Sequence, residues 1–168
     1  MEWIDTIIKV SSHLYNLLSR LLSFFNRKKK YSPEKTKQNI EVSISAQEGS
    51  IEMWCDKYQS MFRVYLEFSN NNPFPIEIDR VEVSGYTYSS ASVEAINLFG
   101  EKIEAHKKYR ILLKGKIDSA NLEKINQAAT DETLRLDVRA VILNKFYNIR
   151  DYVSHLDNVR CRYINRKS

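Results

Sequence analysis

The side chains of this 168-residue sequence that could carry acid, base or metal chemistry are few and scattered. The histidines, His13, His106 and His155, fall in three different stretches, and none has carboxylates or thiols spaced around it as a metal site requires. His155 and Asp157 come nearest, as an H-x-D pair that could orient one ligand from a strand. The plainer expectation is that both face solvent in a loop. A nucleophile elbow, a P-loop and a dinucleotide-binding glycine pattern are all missing, and four glycines leave little scope for a phosphate cradle. Acidic pairs such as Asp131 and Glu132 fall in a connection beside a helix, where solvated charge is the default. The reading is therefore non-enzymatic, with no cofactor and no metal. Cys55 and Cys161 are too few and too far apart for a disulfide framework or a zinc site. They are expected as separate thiols in a reducing compartment, the alternative being one bridge from an early strand to the last.

Charge points to a different kind of chemistry. Residues 1–37 hold eight Lys or Arg against three acidic residues, whereas the remaining 131 residues hold 18 of each sign. The whole formal charge of +5 thus belongs to the N-terminal segment, so attraction to anionic lipid or nucleic acid belongs there too. A smaller basic cluster lies at Arg160, Arg162, Arg166 and Lys167. On an alternating strand Arg160 and Arg162 share a wet face, which is not the basic and aromatic stripe of a nucleic-acid binder. Nucleic acid ranks as the third and unlikely partner, through the N-terminal tether.

Residues 2–25 show the periodicity of an amphipathic helix. Trp3, Ile4, Ile7, Ile8, Leu14, Leu18, Leu21, Leu22 and Phe25 fall in one broad arc with Val10, Tyr15, Leu17 and Phe24, and charged and hydroxyl side chains fill the other. Lys9, His13, Asn16 and Arg20 interrupt any run long enough for a signal peptide or a membrane span. Half-burying about ten such side chains is worth on the order of 10 kcal/mol before ordering costs. That favours a cover: a membrane interface with Lys28, Lys29 and Lys30 on anionic head groups, a protein partner or second copy of the chain, or the chain's own domain. Arg27 to Gln38, with Pro33, reads as a basic linker.

Strands follow from Ile40. The stretch from Phe62 to Gly85 organises them. Phe62, Val64, Leu66 and Phe68 alternate with polar residues, Asn70 to Pro75 supplies turn formers, and Ile76 and Ile78 begin a second strand. The alternation shifts after Asp79, so a β-bulge there would keep Val81 and Val83 on the core side with them. Further strands are expected at Ile51–Cys55, Val93–Phe99, Tyr109–Ile117, Leu134–Ile142, Phe146–Val153 and Val159–Ile164, with a short helix capped by Asp118 or Ser119. About eight strands and one inserted helix predict a mainly β fold, an antiparallel β-sandwich. The organisation expected is helix 1–26, linker 27–38 and sandwich 39–168.

An alternating strand, Asn-Pro, a further Pro and a second alternating strand, FRVYLEFSNNNPFPIEIDRVEV, resembles the signature region of the late embryogenesis abundant type-2 domain, also called the water stress and hypersensitive response domain. The likeness runs from Ile40 to Ile164 and is carried most closely by Asn72, Pro73 and Pro75. It implies an immunoglobulin-like or fibronectin-like sandwich without enzymatic activity and, in some members, tethering to membranes by an N-terminal hydrophobic segment. The expected function is a binding or scaffold module, peripheral to or anchored at a membrane on its cytoplasmic side, or placed in an assembly, by its N-terminal helix. The alternative is a soluble protein whose N-terminal helices oligomerise.

Overall fold

A computed structural model describes residues 2–45, 51–55, 60–87, 92–127 and 133–165, without the side chains of residues 2–12 and of a few positions elsewhere. Gly49, Asp131, Glu132, Arg166 and Lys167 lie outside the described residues. The chain runs α1 (Glu2–Lys30), α2 (Pro33–Gln38), β1 (Ile40–Ile44), β2 (Ile51–Cys55), β3 (Ser60–Asn70), β4 (Ile76–Thr87), β5 (Ser92–Ile103), β6 (Lys107–Lys116), α3 (Ser119–Gln127), β7 (Thr133–Leu143) and β8 (Asn148–Asn165). It is mainly β, with a leading helix and one inserted helix.

Alternation decided the strands. Phe62, Val64, Leu66 and Phe68 of β3 are buried, as are Leu134, Leu136, Val138, Ala140 and Ile142 of β7. The register of β4 shifts between Ile78 and Arg80 against both β5 and β7, and Ile76, Ile78, Val81 and Val83 are all buried. The bulge therefore does what the broken alternation requires. Asp118 caps α3, accepting from the Asn121 backbone N–H at 2.8 Å.

The strands form one continuous mixed sheet in the order β1-β3-β2-β8-β7-β4-β5, with β6 on β3. Six of the seven described ladders are antiparallel, and β2 runs parallel to the end of β8. The long β8 pairs first with β7 and then with β2. It is one strand where the sequence suggested two. Asn158, at φ 55°, sits where the register against β7 slips, so an extra residue is absorbed without ending the strand. The sheet also curls: β6 and β5 lie at opposite ends of the strand path, yet Asn97 Nδ2 of β5 donates to the Leu112 carbonyl of β6 at 3.4 Å. A Cβ at Gly115 would lie 1.9 Å from the Glu94 carbonyl oxygen, so only glycine allows this approach. Buried side chains from all eight strands then fill one core.

One open alternative closes and one expectation changes. Ile51 faces Cys161 and Cys55 faces Asn165, so the cysteines sit four positions apart along neighbouring strands, about 13 Å, against the 7 Å limit for a bridge. Cys161 is half-buried. His155 and Asp157 stand in β8, not in a loop, and His155 Nδ1 lies 2.6 Å from Asp137 Oδ1 on β7.

Candidate functional site

The basic stretch expected as a tether is a fixed joint. α1 continues through Lys30, and after Tyr31 and Ser32 the chain turns into α2, whose first residue, Pro33, has the φ a helix start needs and no N–H to leave unpaired. Thr36 is buried. Tyr31 packs on Phe74 and Phe146, at ring-centroid separations of 4.2 and 5.1 Å, and Phe24 of α1 meets Phe146 edge-on at 5.9 Å. Lys37 pairs with Asp151 at 2.8 Å, and that hydrogen bond holds the Asp151 carboxyl below its usual range.

Asparagines lock this joint to the domain. Asn144, in the turn between β7 and β8, accepts from the Phe146 and Tyr147 backbone N–H groups and donates to the Tyr31 carbonyl at 2.8 Å and to Thr36 Oγ1 at 2.9 Å. Asn70 is fully buried and donates to the carbonyls of Phe74, Ile103 and Glu104 within 2.9–3.1 Å. Its oxygen accepts from the Asn72 N–H and from Asn72 Nδ2. Asn72 Nδ2 also donates to the Thr36 carbonyl at 3.2 Å, and the Asn71 N–H donates to the Asn39 carbonyl at 2.8 Å. Because Nδ2 of Asn72 faces two acceptors, its orientation is settled and Oδ1 must point elsewhere. That oxygen is buried and accepts no hydrogen bond, a state that costs about 1–3 kcal/mol.

Beyond the joint, the described face of α1 is bare. Leu14, Leu18, Leu21, Leu22 and Phe25 are each 46–63% exposed, and Tyr15, Leu17 and Phe24 are exposed beside them. The chain's own sheet does not cover this stretch. Trp3, Ile4, Ile7 and Ile8 lie in the same helix, and their side chains are outside the described set. Lys28 and Lys29 follow Phe25 by three and four residues, which places them on the same face one turn further on. Lys28 also lies 5.7 Å from the Tyr147 ring centroid, and Lys29 and Lys30 both border a groove at the start of α2. No helix among the described residues is long and apolar enough to cross a membrane.

Two open grooves flank the joint. One, of about 530 Å³, is lined by Arg20 and Arg27 of α1 and Lys145 beside the Phe24 and Phe146 rings. The other, of about 330 Å³, lies in the elbow between α1 and α2, with Lys29, Lys30 and Lys35 around it and Asn72 in its wall. Among the described residues, no acidic side chain lines either groove. Lys28, Lys29 and Lys30, singled out from the sequence, close α1 after the apolar stripe. The sequence reading did not single out Lys35 or Asn144 for the site, and gave Asn72 only as part of the turn that carries the family resemblance; the side-chain partners of Asn72 and Asn144 lie on distant elements.

Elsewhere, Asp137 is held below its usual range first by the hydrogen bond from His155 and further by Arg135. Burial pushes the Tyr152 hydroxyl up to about 12, so it stays a donor to the Ile40 carbonyl, at 3.2 Å. Among the described residues no three His, Cys, Asp or Glu side chains gather as metal ligands would.

No family model matches this chain, and no curated protein matches it in sequence. Among solved structures, Spo0M, a sporulation control protein of Bacillus subtilis, aligns over 75% of this chain and 49% of its own, at 5% identity and a TM-score of 0.36. A protein of Archaeoglobus fulgidus aligns over 70% of this chain and 94% of its own, at 6% identity and a TM-score of 0.43. A protein described as late embryogenesis abundant aligns over 92% of this chain and 86% of its own, at 10% identity and a TM-score of 0.50. That last likeness is one of fold, and it gives this chain a fold similar to a late embryogenesis abundant protein.

Proposed function

We propose that the chain is a non-catalytic module that docks on an anionic membrane surface through α1, and that its β domain is a divergent, immunoglobulin-like sandwich of the late embryogenesis abundant type-2 kind. The observation that carries the reading is the exposed stripe Leu14, Leu18, Leu21, Leu22 and Phe25, continued on the same face by Lys28 and Lys29. Such a face suits the boundary between acyl chains and anionic head groups, apolar along its length and cationic at one end. A protein partner would satisfy the leucines but gives no reason for the cations to follow them on the stripe. The docked β domain then presents its loops and edges to a partner.

Co-sedimentation of the full chain with vesicles tests this. Vesicles of phosphatidylcholine with phosphatidylserine should pellet the protein, and added salt should weaken binding. Lys28→Ala with Lys29→Ala should weaken it about 30-fold, at about 1 kcal/mol for each cation near the surface. Leu18→Glu with Leu22→Glu should abolish it. A chain that ignores the vesicles while light scattering shows a defined oligomer, lost on those two Glu substitutions, would make α1 an assembly element instead.

A further inference from the structure

We infer that the elbow groove between α1 and α2 binds a phosphorylated polyol, the group that a phosphoinositide displays at a membrane and that a free inositol phosphate carries in solution. The inference deepens the membrane reading and rests on it only for the source of the phosphate. Lys29, Lys30 and Lys35 line the groove, all three are exposed, and among the described residues none has a carboxylate within ion-pair distance. Lys37, Lys102 and Lys108, by contrast, each pair with one. Like charges brought together around about 330 Å³ favour an anion among them, and the volume admits a ring-sized polyol rather than a phosphate alone.

The spread of the cations narrows the ligand further. Lys29 and Lys30 come from α1 and Lys35 from α2, and a polyol carrying several phosphates offers separate anionic oxygens to both helices. Asn72, whose side-chain nitrogen is committed to Asn70 and Thr36, stands in the wall. Pro73 and Phe74 complete the wall from the turn before β4. Because Asn70, Asn72, Thr36 and Asn144 hold that wall and α2 together, the groove exists before any ligand arrives.

The test is titration of the full chain with inositol trisphosphate and with inorganic phosphate at matched ionic strength, followed by calorimetry and by nuclear magnetic resonance of the asparagine side-chain amides. The trisphosphate should bind at least tenfold more tightly and shift the Asn72 amide signals. Lys35→Ala, at an exposed position off the lipid-facing stripe, should weaken trisphosphate binding at least fivefold while leaving thermal stability and binding to phosphatidylserine vesicles unchanged. Equal affinity for the two probes, or no effect of Lys35→Ala, overturns the inference. Preference for vesicles with phosphatidylinositol bisphosphate over phosphatidylserine at equal charge assigns the phosphate to a lipid. Binding of the soluble probe without that preference assigns it to a free polyol phosphate. A chain that binds the trisphosphate but no vesicle keeps the groove and loses the membrane reading.

Discussion

Asn70 shows how one side chain can hold a fold where no hydrophobic contact would serve. The turn between β3 and β4 leaves the carbonyl of Phe74 pointing inward, and the end of β5 leaves those of Ile103 and Glu104 doing the same. A single carboxamide nitrogen answers all three. Asn70→Ala would strand those acceptors and release Asn72 from its partner, at a cost of about 2–4 kcal/mol, read as a lower urea midpoint with an unchanged slope. Asn70→Asp should do no better, since a carboxylate has no proton to donate to a carbonyl. The sequence showed these asparagines as turn formers, which they are. Their further work as internal clamps was hidden, because Ile103 and Glu104 lie more than thirty positions away and nothing local marks them as partners.

At the scale of elements, the strands were legible wherever one face is dry and the other wet, and even the slip at Asp79 could be read from four apolar residues out of step. Two elements were not. Residues 27–38 have the composition of a linker, yet Tyr31 and Thr36 find partners in the turn between β7 and β8 and in the turn before β4, and tertiary contact overrode composition. β8 looked broken between Val153 and Val159, yet a bulge carried it through. Gly115 is the element-scale prediction. Alanine there must push the Glu94 carbonyl away and open the meeting of β5 and β6, for a loss of about 2 kcal/mol or more. Gly100→Ala, whose new Cβ would find its nearest atom at 3.9 Å, should leave the thermal midpoint unchanged or slightly raised.

For the whole molecule, acid is the informative stress. Asp118, Asp137 and Asp151 all have carboxyls held low, by hydrogen bonds from the Asn121 backbone, His155 and Lys37 respectively. A carboxyl that ionises more readily when folded adds stability above its unfolded value, about 3.9, and that contribution goes as pH falls through the folded value. Stability should therefore hold from neutral pH to about 5 and drop below about 4. His155→Gln should let Asp137 titrate nearer its ordinary range, visible in the chemical shift of its carboxyl carbon across a pH series. An Asp137 resonance that titrates alike in both forms would remove His155 from this account. The candidate membrane surface was legible at this same scale, as a periodic stripe ending in cations. The grooves were not, since they exist only once α1, α2 and two turns have come together.

The strand that joins the two halves of the sheet is also the one made last among those described. Ile51 waits for Cys161, 110 residues later, before β2 gains its second neighbour, and β7 waits for the same strand. On a ribosome, then, β2 and β7 emerge with the edges that meet β8 open, and the core cannot shut until residues 148–165 are clear of the exit tunnel. Closure is an event that follows synthesis of this domain, and its long sequence separations make it slow by the standards of local folds. During that interval the unpaired edges are the chain's most vulnerable surface, the moment at which a chaperone would have something to hold.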